Sequence, residues 1–89
     1  MRAVITVTGK DNVGIIAKVS NECFKYNVNI LDISQSVLSD FFAMSMLCDL
    51  TKMDVDFADF VEKMNELGKS CGQKIHVMHE DIFNSMHKV

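Results

Sequence analysis

Hydrophobic and polar positions follow two rhythms along this chain, one with a period of two and one near 3.6, and their order predicts six elements and a tail. Residues 3–8 (Ala-Val-Ile-Thr-Val-Thr) are rich in β-branched side chains and run into Gly9, which predicts a strand closed by a turn. Asp11 or Asn12 is then placed to cap a helix running to about Tyr26, with Val13, Ile16, Ala17, Cys23 and Phe24 as its apolar stripe. After a polar break at residues 27–29, Ile30, Leu31 and Ile33 open a second strand. Gln35 and Val37 continue one side of it, and Asp32, Ser34 and Ser36 the other. Ser39 and Asp40 supply a tight turn, beyond which Phe42, Met44, Met46, Cys48 and Leu50 alternate down a third strand, so the pair reads as a β-hairpin.

From Asp56 the rhythm changes. Phe57, Phe60, Val61, Met64 and Leu67 form a helical stripe that Gly68 or Gly72 can close. Residues 74–79 then make a short strand around Ile75 and Val77, and residues 80–87 a last short helix through Ile82, Phe83 and Met86. The order βαββαβ predicts an α+β, ferredoxin-like sandwich. Its sheet has four antiparallel strands with both long helices on one face, because right-handed crossovers place them there. The other face is left open, carrying Thr6, Thr8, Ser34, Ser36 and Ser45 mixed with Ala43 and Leu47.

Eighty-nine residues wrap one hydrophobic core, so residues 1–89 read as a single domain and any catalytic domain it regulates lies on another chain. So small a core gains from oligomerisation, and a homodimer covering the semi-apolar sheet face is expected. The formal net charge of −3, with lysines and one arginine scattered singly, offers no basic footprint, which argues against nucleic acid and membrane surfaces as partners. Cys23, Cys48 and Cys71 form no CxxC pair and read as small buried hydrophobes. No signal-like or spanning apolar run is present, so the reducing cytoplasm is the expected address.

The candidate chemistry is sparse. His76 and His79 stand three apart on a strand and so point to opposite faces, His87 follows in the tail, and no metal site is expected from them. No nucleophile elbow, HExxH or phosphate loop occurs, so neither enzyme activity nor a cofactor is expected. The informative segment is Gly9-Lys10-Asp11-Asn12-Val13-Gly14-Ile15, joining the first strand to the first helix. A helix start exposes unpaired N–H groups that can receive a small carboxylate, and Gly14 leaves room for close backbone approach. The same residues also suit a plain role, Asp11 or Asn12 as a cap and Gly14 as a packing position.

This arrangement resembles the ACT domain, a small regulatory fold that binds amino acids in many enzymes and regulators. The resemblance is carried by Val4-Ile5-Thr6-Val7 running into Gly9-Lys10-Asp11, by Gly14-Ile15-Ile16-Ala17, and by Asn29-Ile30 with Gln35 further on. It covers nearly the whole chain, and the stretch Asp32-Ile33-Ser34-Gln35 is similar to that of the stand-alone UPF0237 family. The resemblance implies a dimer joined edge to edge or through its helices. It also implies a ligand, an amino acid or a related small molecule, held between the first loop and the partner's second strand. Lys10, Asp11, Asn12, Val13, Gly14, Ile15, Asn29 and Ile30 are then the candidate binding residues. At Asn12-Val13 the chain differs from many amino-acid-binding members, which carry Arg-Pro there.

The βαββαβ plan serves other functions too, and the residues argue against three of them. An RNA-recognition module needs stacking aromatics on its first strand, a copper chaperone a CxxC in the first loop, and an acyl-phosphate hydrolase an arginine in that loop; none is present. Two readings remain: a ligand-binding regulatory module that contacts another protein, and an assembly domain with no small ligand that uses its open face and the Ile82, Phe83, Met86 stripe.

Overall fold

The computed structural model describes residues 1–86. Its elements are β1 (Arg2–Lys10), α1 (Ile15–Lys25), β2 (Asn29–Leu38), β3 (Phe41–Asp49), α2 (Phe57–Cys71), β4 (Gln73–His79) and α3 (Glu80–Met86). The sheet order is β2-β3-β1-β4, antiparallel throughout, which leaves β2 and β4 as the two edges. This is the predicted ferredoxin-like βαββαβ sandwich.

Strand parity decides the core. Ala3, Ile5 and Val7 of β1, Phe42, Met44, Met46 and Cys48 of β3 and Ile75 of β4 all point toward the helices and are buried. From α2 they meet Phe60 and Met64, each fully buried and each contributing roughly 1.5–3 kcal/mol by leaving water. Tyr26 closes against Phe60 edge-on, with ring centroids 6.2 Å apart. Of the two glycines offered as the end of α2, Gly72 is the cap, left-handed at φ 72° with its N–H on the Gly68 carbonyl. Gly68 instead lies inside the helix, where a Cβ would stand 2.5 Å from the Gln73 carbonyl oxygen.

Three expectations are corrected by packing. Gly9 does not end β1, which runs on to Lys10; Gly9 is needed because the Gln73 side chain lies against it. The face α1 buries is Ile15, Val19 and Cys23, a four-residue spacing, while Val13 and Phe24 from the expected stripe are 94% and 82% exposed. Both spacings fit a helix, and only packing into the shared core selects between them.

The third correction concerns the far side of the sheet, which is not wholly open. α3 follows β4 directly and packs against β1, with Arg2 Nη2 paired to Glu80 Oε2 at 2.8 Å. It roofs one end of that face and leaves Thr6, Thr8, Ser34, Ser36 and Ser45 around a polar remainder. The proposed last residue of this helix, His87, lies outside the described residues. No helix among the described residues is long and apolar enough to cross a membrane.

Candidate functional site

The loop between β1 and α1 is held at its β1 end by one main-chain bond and two side-chain bonds. Asp11 donates its N–H to the Asp40 carbonyl at 2.7 Å, tying the loop to the β2–β3 turn. Gln73 Nε2 donates to the Lys10 carbonyl at 2.7 Å, and Asn12 Nδ2 reaches the Cys71 carbonyl at 3.5 Å. The loop therefore rests on the hairpin tip and on the α2–β4 turn.

Gly14, not Asp11 or Asn12, occupies the N-cap of α1. Its φ of 86° is left-handed, and no side chain caps the helix. Asn12 turns its side chain to the Cys71 carbonyl, the backbone of Asp11 is tied to Asp40, and the helix starts beyond both, so neither serves as the cap. An uncapped start leaves the first N–H groups of α1 without intrahelical acceptors, together with the positive end of the helix dipole.

A cleft of about 280 Å³ opens at this point. Asp11, Asn12, Gly14, Ile16 and Ala17 form one wall, and Gln35 and Val37 of β2 face them over Phe42. Ile15 also borders it, but its side chain is only 2% exposed and anchors α1 in the core, so its backbone is what it presents. Val13 projects into solvent, and Lys10 ends β1 outside the cleft. Gln35 and Val37, which sequence reasoning did not assign to the site, share the side of β2 that faces the helices, and their alternation with Ser34 and Ser36 carried that signal.

Asn29 and Ile30 lie elsewhere within one chain. Asn29 pairs with Asp49 and Leu38 with Phe41, so the two ends of β2 are separated by nine steps, about 30 Å. Asn29 borders a second cleft of about 450 Å³ with Phe24, Asn27, Asp49, Thr51 and Lys52. There Asp49 Oδ1 accepts from the Thr51 hydroxyl at 2.5 Å and the Thr51 N–H at 2.9 Å, which holds its carboxyl below the ordinary range.

The outer edge of β2 is long and poorly defended. It has ten residues, no lysine or proline, and exposes Leu31, Ile33, Val37 and Leu38. Edges of this kind invite pairing with another strand. An antiparallel pairing of two β2 edges would set the loop end of one copy beside the Asn29 end of the other.

His76 and His79 point to opposite faces of β4, opposite Thr6 and Ala3 of β1 respectively. Among the described residues no three His, Cys, Asp or Glu side chains converge.

This architecture, a βαββαβ sandwich whose first helix starts uncapped at a glycine beside an edge strand, is that of an ACT domain, and residues 2–78 match the ACT domain family model. ACT domains are in general regulatory modules that bind small molecules. The chain is 45% identical over its full length to a UPF0237 protein of Listeria innocua serovar 6a, covering 100% of both. A solved ACT domain protein from Streptococcus pneumoniae superimposes with a TM-score of 0.82 at 36% identity, over 93% of each chain. A formyltetrahydrofolate deformylase from Pseudomonas syringae aligns with 88% of this chain but 27% of its own length, at a TM-score of 0.79 and 25% identity. The chain belongs to the ACT domain family and, within it, to the UPF0237 proteins.

Proposed function

We propose that this protein is a cytoplasmic regulatory module, its residues 1–89 forming one ACT-like domain, that binds a free amino acid or a related small metabolite. It does so as a homodimer and signals by altering its contacts with another protein, with no chemistry of its own. The observation that carries this reading is the cleft between the uncapped start of α1 and Gln35 and Val37 on an unpaired edge strand. A ligand carboxylate would take the N–H groups after Gly14, a geometry suited to an anion. Antiparallel pairing of β2 edges would add Asn29 and Ile30 of the second copy beside Asp11, Asn12, Gly14 and Ile15, with Lys10 and Val13 at the margin of the shared interface. The deformylase supports the regulatory part of this reading, since there a domain of this shape is one part of a longer enzyme chain.

A thermal-shift screen against the twenty amino acids and common metabolites tests the reading, because a ligand that binds only the native state raises its melting temperature. A concentration-dependent rise with at least one amino acid is expected. A flat response across the panel at millimolar concentration would contradict it.

A further inference from the structure

The segment α3 plays no part in the loop site, and it builds a cleft of its own on the other face of the sheet. Register places Asp32, Leu47, Val4 and Met78 in one row across β2, β3, β1 and β4, with Ser34 opposite Ser45 in the next row. Phe83 and Asn84 of α3 stand beside these rows and border an open cleft of about 250 Å³. Val4, only 6% exposed on a face that would otherwise be open, and Leu47 make an apolar floor beneath Phe83.

The polar groups of the cleft are neutral or acidic. Ser34, Ser45 and Asn84 are neutral, Asp32 and Glu80 are acidic, and among the described residues no cation lines it. Glu80 is committed to Arg2 at 2.8 Å. Asp32 takes a hydrogen bond from the Ile33 N–H at 2.9 Å and belongs to no ion pair among the described residues. An apolar floor and roof with one uncompensated carboxylate at the edge reject an anion and complement a cation on a short hydrocarbon body.

We propose that this cleft is a second small-molecule site, which takes a primary alkylamine with its chain between Val4, Leu47 and Phe83 and its ammonium on Asp32. It lies across the sheet from the loop cleft, and it stands or falls independently of amino-acid binding there. The volume suits a branched chain of four or five carbons, so 3-methylbutylamine is the probe, with 3-methylbutanol and isovalerate as its neutral and anionic counterparts.

Amide shifts of the full chain are followed by two-dimensional NMR during each titration. Saturable shifts at Val4, Ser34, Leu47 and Phe83 are expected with the amine, weaker ones with the alcohol and none with isovalerate. The substitution Asp32→Asn, on an exposed strand position that folding tolerates, lowers affinity for the amine by about tenfold or more, the value of one charge-assisted hydrogen bond, and leaves the alcohol unchanged. Leu47→Trp, which fills the floor, removes both. Shifts confined to residues 11–17 and 35–42, equal binding of isovalerate, or an Asp32→Asn protein that binds the amine as well as the wild type would each overturn the proposal.

Discussion

Gln73 lays its carboxamide across Gly9. Its Nε2 donates to the Lys10 carbonyl at 2.7 Å, while its Oε1, buried and without a hydrogen-bond partner among the described residues, lies 2.5 Å from where a Cβ on Gly9 would stand. One side chain thus fixes the end of β1 and dictates the residue beside it. Gly9→Ala is expected to lower stability by about 1–3 kcal/mol in urea unfolding, the range for overpacking. Removing the amide as well, in Gly9→Ala with Gln73→Ala, should cost less than the sum of the single changes, because both act on one contact. Rescue stays partial, since the Gly72 carbonyl lies 2.9 Å from the same position. Strict additivity would show that the contact does not govern Gly9.

Gly14 poses the opposite case. A Cβ there would meet nothing nearer than Lys18 Cε at 4.0 Å, so space is not the constraint; the left-handed φ of 86° is. Gly14→Ala should cost about 1–2 kcal/mol of stability and still fold. Gly14→Val should weaken amino-acid affinity more than it weakens folding, because its side chain would stand at the mouth of the cleft. Unchanged affinity with a large fall in melting temperature would make Gly14 a purely structural glycine.

The three cysteines should separate by reactivity. Cys23 and Cys48 are fully buried, and a hydrogen bond between them together with burial pushes the Cys48 thiol far above its ordinary value. Cys71 is partly exposed at the end of α2. Iodoacetamide at pH 8 should therefore modify Cys71 in the native protein, and Cys23 and Cys48 only after denaturation, because burial keeps the reagent from both sulfurs and Cys48 in addition is held from forming the reactive thiolate. Rapid native labelling of Cys48 would contradict the packing of α1 on β3.

Asp49 gives the pH dependence. Its hydrogen bonds from the Thr51 hydroxyl and N–H favour the ionised form and lower its folded pKa relative to the unfolded chain. The stabilisation is present above the unfolded value and is lost as pH falls through the folded one. In an NMR titration Asp49 should protonate at lower pH than a free aspartate, and Thr51→Val should move it back toward the ordinary range. An unchanged midpoint in Thr51→Val would show that the hydroxyl is not the cause.

The strands were legible because their signal is local. Alternation from Phe42 to Cys48 and β-branched residues from Ala3 to Val7 named their own buried faces before any contact was known. The α1 stripe was not legible. Ile15 and Ile16 are equally apolar neighbours, and only packing against the sheet buries one and leaves the other 36% exposed. The cap at Gly14 was hidden for a similar reason: Asp11 and Asn12 are good capping residues, but Asn12 turns its side chain to the distant Cys71 carbonyl and the backbone of Asp11 is tied to Asp40, so the helix starts beyond them at Gly14. The loop half of the candidate site was visible as a motif, whereas its other wall, Gln35 and Val37, required knowing that the hairpin folds back beside the loop. That Asn29 lies at the far end of β2 follows from the length of that strand, and it makes the second copy a condition of the proposed site.

Isothermal titration of the purified protein with a panel of free L-amino acids tests the central claim most directly. Saturable binding of at least one of them, at one ligand per chain and weakened by Gly14→Val, is the predicted result. A protein that is dimeric by light scattering yet gives no binding heat with any amino acid at millimolar concentration would contradict it, and would make the chain an assembly domain that works through its β2 edge and α3 alone.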